Sequence, residues 1–267
     1  MSPKIIYYYQ TFTGLKDILY EGCPVTHIHL SSIHFGRNAD NDGTPYIHLN
    51  NNVPTDAIFD NVWKDLELAS SMGIKIVLMI GGAGGAYGEL FGDFTVYYPL
   101  LCNLFNTKNI INGVDLDIEE GVSLDNVKML IEKIKADYSH YTISMAPVQY
   151  ALQNDEPGMG GFVYKDLLNS DVGKYIDYLN GQFYSAYTYD AYHECIKNGY
   201  DAEMIVMGMC GSDNMDVDCK ELEKITSSGI IGGVFIWEYS LRSAKWEQTI
   251  GNIINKINKE YLETIKL

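Results

Sequence analysis

Three carboxylates stand at alternate positions in the middle of this chain: Asp115, Asp117 and Glu119, with Val114, Leu116 and Ile118 between them. Side chains of a strand point to opposite faces with period two, so the acids share one face and the aliphatics the other. Neighbouring carboxylates on that face are about 7 Å apart. Crowding like charges raises their pKa values and makes them share protons. Chemistry that needs an acid still protonated near neutral pH uses such an arrangement. A half-exposed strand with a solvated acidic face has the same pattern, and three carboxylates also suit a hard cation. No ordered set of oxygen donors resembling a calcium loop surrounds the stretch, so no metal is expected.

Composition narrows the partners. The 267 residues are 46% hydrophobic and 20% charged, as in an ordinary globular protein, and one large α/β domain over 1–267 is the simplest organisation. Nineteen basic against thirty-five acidic residues leave a net charge of −16. Nucleic acid and anionic membrane both reward lysine and arginine clusters, so neither is expected as a partner. A neutral substrate fits better, and a monomer is expected. No apolar stretch approaches transmembrane length and no secretory h-region is visible, which leaves the compartment open. Cys23, Cys102, Cys195, Cys210 and Cys219 are scattered without metal spacing and read as buried free thiols.

The elements that must position the carboxylates alternate along the chain. Strands are expected near residues 4, 26, 75, 113, 142, 178, 204 and 231, from β-branched or aromatic runs such as KIIYYY, IKIVLMI and IIGGVFIW. Helical patterns separate most of them: 15–20, 55–73 (capped at Thr55, with Ile58, Val62, Trp63, Leu66 and Ala69 facing inward), 87–105, 124–138 (capped at Ser123), 162–168, 191–198, 218–228 and 243–267. Residues 37–54 read as loop, with a small hairpin around Asp42-Gly43. Eight β/α units in about 250 residues predict a (β/α)8 TIM barrel; a doubly wound sheet is the runner-up, without its nucleotide fingerprint. In a barrel the acidic face must point into the lumen, with Glu119 nearest the C-terminal mouth where barrel active sites lie.

Two further clusters invite chemistry. Gly81-Gly82-Ala83-Gly84-Gly85 lacks the lysine and Ser/Thr of a phosphate loop and does not fit GxGxxG, so it reads as close backbone approach at the rim, and no cofactor is expected. His27, His29 and His34 have no acidic partner nearby in sequence, and a structural role is expected for them.

Asn112-Gly113-Val114-Asp115-Leu116-Asp117-Ile118-Glu119 resembles the DGxDxDxE signature of family 18 glycoside hydrolases, the chitinase family. Thr26-His27-Ile28, Gly81-Gly82, Met145-Ala146-Pro147, Gln182-Phe183-Tyr184 and Trp237 resemble that family's second, third, fifth, sixth and eighth strands, the sixth in its short plant-type form. Asn112 stands where the family has an aspartate, expected deep in the lumen, and Met79 where a serine is usual. The resemblance implies a retaining, substrate-assisted hydrolase of chitin or other N-acetylglucosamine oligosaccharides. Glu119 would be the proton donor, Asp117 would orient the acetamido group, Asp115 would share its charge, and Tyr184 would donate to the acetamido carbonyl. Trp237 would floor the sugar, with Gln182, Tyr7, Gly81, Gly82 and Met145 lining the substrate site. About twenty residues separate the last two strands, too few for the extra α+β insertion of larger members, so a shallow cleft and endo-type cleavage are expected. An endo-β-N-acetylglucosaminidase acting on N-glycans and a non-catalytic sugar-binding or inhibitor protein are the alternatives.

Overall fold

The computed structural model describes residues 2–37 and 43–264, with side chains to residue 255. In chain order it runs β1 (Lys4–Tyr9), β2 (His27–Arg37), β3 (Pro45–Leu49), α1 (Asp60–Ser71), β4 (Lys75–Gly81), α2 (Tyr87–Gly92), α3 (Phe94–Thr107) and β5 (Ile111–Asp117). There follow α4 (Leu124–Asp137), β6 (Thr142–Met145), α5 (Gln149–Gln153), α6 (Tyr164–Leu168), β7 (Tyr178–Gln182), α7 (Tyr189–Lys197), β8 (Ile205–Cys210), α8 (Met215–Ser228), β9 (Gly233–Trp237) and α9 (Trp246–Thr264). The parallel strands β1, β2 and β4 to β9 pair in sequence order, and β1 pairs with both β2 and β9, which closes the (β/α)8 barrel. Only α8 lies between β8 and β9, so the extra α+β insertion is not there.

Closure sorts each strand's side chains into two apolar layers. One set, including Ile28, Leu78, Val114, Leu116, Ile143 and Ile236, packs outward on the helices. The other, formed by Ile6, Tyr8, Met79, Tyr178, Val206 and Phe235, fills the lumen beneath the mouth, with Tyr184 and Trp237 resting on it. Burial on both faces is why these strands are almost continuously apolar. Met79 is thus lumen packing.

Several boundaries differ from the sequence expectation. Residues 15–20 form turns, not a helix, because side chains claim their backbone: Leu15 N–H donates to Asp65 and Gly14 N–H to the Tyr9 hydroxyl. α1 begins at Asp60, after Thr55, since the Trp63 indole N–H holds the Pro54 carbonyl at 2.7 Å and the intervening segment stays outside the helix. Ile58 is consequently exposed. The expected helix 87–105 is broken at Asp93 into α2 and α3, whereas Ser123 caps α4 as expected, accepting from Asn126 N–H. The tip of the expected hairpin around Asp42-Gly43 lies outside the described residues, but β3 pairs antiparallel with the outer half of β2, Arg37 opposite Pro45.

Asn112 does not face the lumen. A register shift between β4 and β5 falls beside it, and its side-chain oxygen accepts the Ile76 N–H at 2.9 Å. It is a backbone clasp at the base of the barrel.

Candidate active site

Period-two alternation places Asp115 and Asp117 in the lumen from β5, and Glu119 two residues beyond its end, half-buried at the mouth. Asp115 is fully buried and richly bonded. Its Oδ1 accepts from the Ser144 hydroxyl (2.6 Å) and the Asn180 amide (3.0 Å), and its Oδ2 from the Tyr8 hydroxyl (2.7 Å). His29 Nδ1 stands 3.4 Å from the same Oδ2. Burial pushes the Asp115 carboxyl up, but the facing His29 and the hydroxyls of Ser144 and Tyr8 outweigh it, and the net direction is down. The expectation that crowding raises all the pKa values therefore fails at Asp115, because donors converging on a buried carboxylate favour its ionised form.

Asp117 goes the other way. It is 5% exposed, and burial, then Glu119, then Asp115 hold its carboxyl well above the usual range. Gln182 ties the upper two acids together: its amide Nε2 lies 3.2 Å from Asp117 Oδ1, 3.4 Å from Glu119 Oε1 and 2.9 Å from the Ala146 carbonyl. One lumen face thus carries an acid pushed toward its ionised form at the bottom and an acid pushed toward its neutral form above it, with Glu119 at the opening.

The double glycine is required by this packing. A Cβ on Gly81 (φ +95°) would lie 2.3 Å from the Asp117 carbonyl oxygen, and one on Gly82 (φ +80°) 3.3 Å from Asp117 Oδ2. Gly82 N–H donates to the Asp117 carbonyl at 2.9 Å. Glu120 clamps the rest of the glycine loop, its carboxylate accepting from the Ala86, Tyr87 and Gly88 N–H groups. Neighbouring acids in sequence thus take different tasks.

Across the lumen, the Tyr184 ring stands edge-on to Phe235 at 6.2 Å between centroids, and Trp237 lies 5.5 Å from Tyr8. Burial, followed by the Asp117 charge, pushes the Tyr184 phenol well up, so it remains a donor. Beside Trp237, the buried Glu238 accepts from Thr11, Gln10 and Ser240 and fastens the end of β9 to the loop after β1.

Two expected substrate-site residues lie elsewhere. Tyr7 points out of the barrel, where its hydroxyl donates to the buried Glu247 at 2.9 Å. Met145 likewise packs in the outer apolar layer. Their neighbours Tyr8 and Ser144 are the ones that reach the lumen and bond Asp115. Sequence reasoning also missed Asn180, His29 and Tyr178. Period-two placement of His27 and His29 was the available signal, but nothing in the sequence says which strand they face.

The site is thus a carboxylate ladder rising to the C-terminal mouth of a closed (β/α)8 barrel, with an amide bridge and an aromatic far wall. No family model matches the chain. It is 31% identical over 136 residues to chitinase 2 of Rhizopus oligosporus, covering 47% of this chain and 23% of that protein. The chain spans less than half the length of the curated relatives it matches. Among solved structures, a fungal endo-β-N-acetylglucosaminidase from glycosyl hydrolase family 18 superposes with a TM-score of 0.82 at 26% identity, covering 94% of this chain and 98% of that one. Chitinase ChiC from Aspergillus fumigatus superposes with a TM-score of 0.77 at 26% identity, covering 89% and 91%. These likenesses support the resemblance to family 18 of the glycoside hydrolases that residues 112–119 carry.

Proposed function

We propose that the chain hydrolyses β-1,4-linked N-acetylglucosamine polymers internally, with retention, using the substrate's acetamido group as nucleophile. The observation that carries this is the placement of the acids. Asp115, Asp117 and Glu119 rise along β5 and its immediate continuation, bridged at the top by Gln182, while Tyr184 and Trp237 form an aromatic wall. The two-carboxylate scheme needs acids flanking the scissile bond, and the acid beside Trp237, Glu238, is buried and engaged by backbone and hydroxyl donors.

Glu119 gives its proton to the glycosidic oxygen as the bond to C1 breaks, and the acetamido oxygen attacks C1, forming an oxazolinium ion. Asp117 accepts the acetamido N–H and stabilises the positive charge, passing its own proton down the ladder to Asp115, which leaves Glu119 ionised as the base for the incoming water. The Tyr184 hydroxyl donates to the acetamido oxygen, and Trp237 supports the ring and methyl. Water then adds to C1, the oxazolinium opens, and Glu119 takes back a proton.

An endo-β-N-acetylglucosaminidase acting on N-glycan cores is a second reading, favoured by the likeness to the fungal enzyme of that activity. The test is incubation with chitin oligomers and with a high-mannose glycoprotein, followed by product identification, for the wild type and Glu119→Gln. The variant is expected to lose about 10²–10⁴ in kcat on the true substrate while still binding it. Near wild-type turnover by the variant overturns the role of Glu119, and no product from either substrate by the wild type overturns the proposed function.

A further inference from the structure

We propose that His29 is a positioning residue: from the floor of the barrel, a Tyr178–His29–Asp115 chain holds Asp115 as the anion of the carboxylate ladder and so decides where the ladder's proton resides. Its kinetic consequence rests on the glycosidase reading above; its titration consequence does not.

The geometry is that of a relay. His29 is fully buried and enters the lumen from β2. Its Nε2 lies 3.1 Å from the Tyr178 hydroxyl, and its Nδ1, which has no hydrogen-bond partner among the described residues, lies 3.4 Å from Asp115 Oδ2. When the imidazole is neutral, the Tyr178 O–H donates to Nε2 and fixes the ring hydrogen on Nδ1, facing the carboxylate. When the ring is protonated, Nε2–H donates to the Tyr178 oxygen and Nδ1–H still faces Asp115. Either state offers Asp115 a donor, and the charged state also offers it a counter-ion.

The surroundings leave this task to His29. The titratable groups around it are Tyr8 on β1, with ring centroids 4.9 Å apart, Asp115 on β5, Tyr178 on β7, and His27 on its own strand at 6.4 Å. Lys4, on the same face of β1 as Ile6 and Tyr8, sits over the Tyr178 ring, 4.7 Å from its centroid, and the carboxylates acting on it are Asp177 and Glu203. Burial, then the charges of His29, Lys4 and Lys75, push His27 down to about 3, so His27 is neutral and contributes no charge. Tyr8, Ser144 and Asn180 give Asp115 neutral donors only. A buried carboxylate with neutral donors alone still bears much of its desolvation cost. An anionic Asp115 one pleat below Asp117 repels a second charge there and so favours the neutral form of Asp117.

The test uses His29→Phe, His29→Asn and Tyr178→Phe in the intact chain, with two readouts. In His29→Phe the Asp115 carboxyl, followed by 13C NMR, should titrate about one unit higher than in the wild type, and the acid limb of the kcat profile should rise with it. At the wild-type acid midpoint kcat should then fall about fivefold, with KM little changed. His29→Asn, whose amide N–H falls near the position of Nδ1, should restore the profile to within about twofold, and Tyr178→Phe should shift it in the same direction by less. A lowered Tm with unchanged Asp115 titration and unchanged kcat profile overturns the proposal and makes His29 a packing residue. If the wild type turns over no oligosaccharide, the glycosidase reading fails and the NMR titration alone decides the inference. If His29→Phe does not fold, an unshifted Asp115 in Tyr178→Phe overturns it.

Discussion

Replacing Asp117 by Asn should make the protein more stable near neutral pH while disabling it. Asp117 is nearly fully buried, and burial together with its neighbours Glu119 and Asp115 raises its carboxyl well above the usual range. On adjacent positions of one strand face the charges lie about 7 Å apart. At an effective dielectric of about 20, two unit charges at that distance repel by about 2.4 kcal/mol. Asp117 escapes part of this by favouring its neutral form, so the gain from an isosteric neutral amide is about 1–2 kcal/mol, or roughly 2–8 °C in Tm for a chain of this size. The Asn oxygen can keep the bond from Gln182 Nε2, which limits new strain. A carboxyl whose folded pKa is raised contributes stability that is fully present below its unfolded value, about 3.9, and is lost as pH rises through the folded value. The advantage of the variant must therefore grow with pH from about 4 upward and vanish at the acid end. Urea unfolding of both proteins from pH 4 to pH 8, compared by midpoint at equal slope, measures this. In the same samples kcat on a chitin oligomer should fall at least about 10²-fold, since an amide cannot take over the charge-stabilising role. A variant less stable than the wild type at pH 8, or a difference that does not vary with pH, refutes the reasoning.

The remaining predictions separate lumen from outer layer. Tyr7→Phe removes a donor to the buried Glu247 and should cost about 1.5–3 kcal/mol in denaturant unfolding, with kcat and KM within about twofold of wild type; a loss of activity without a loss of stability would return Tyr7 to the substrate site. Gly81→Ala drives a Cβ against the Asp117 carbonyl and the Tyr87 ring at a left-handed φ, and should cost about 2–4 kcal/mol and lower kcat by displacing Asp117; unfolding within 1 kcal/mol of wild type contradicts the contact. Asn112→Asp keeps an oxygen for the Ile76 N–H and lies outside the lumen, so its pH–rate profile should superimpose on that of the wild type. A shifted profile would make position 112 part of the proton ladder.

Local periodicity carried the sequence a long way. The alternation of Val114, Asp115, Leu116, Asp117, Ile118 and Glu119 puts the acids on one face whatever the fold, and repeated strand and helix patterns leave little choice but a barrel. Glycine at 81 and 82 announces a close approach for the same reason, since it is a property of the backbone at those residues. What remained hidden depends on register between strands. In KIIYYY every residue is apolar or aromatic, so nothing local says that Tyr8 faces Asp115 and Tyr7 faces Glu247; the pairing of Tyr8 with His29 in the closed barrel decides it. Met145 and Ser144 exchange roles for the same reason, because the fifth barrel strand is short and its inward face is set by pairing with β5. The opposite directions taken by Asp115 and Asp117 are the clearest case. Both are aspartates two residues apart, yet the donors that ionise the lower one come from β1, β6 and β7, with a facing imidazole from β2, and only the closed lumen brings those strands to one carboxylate.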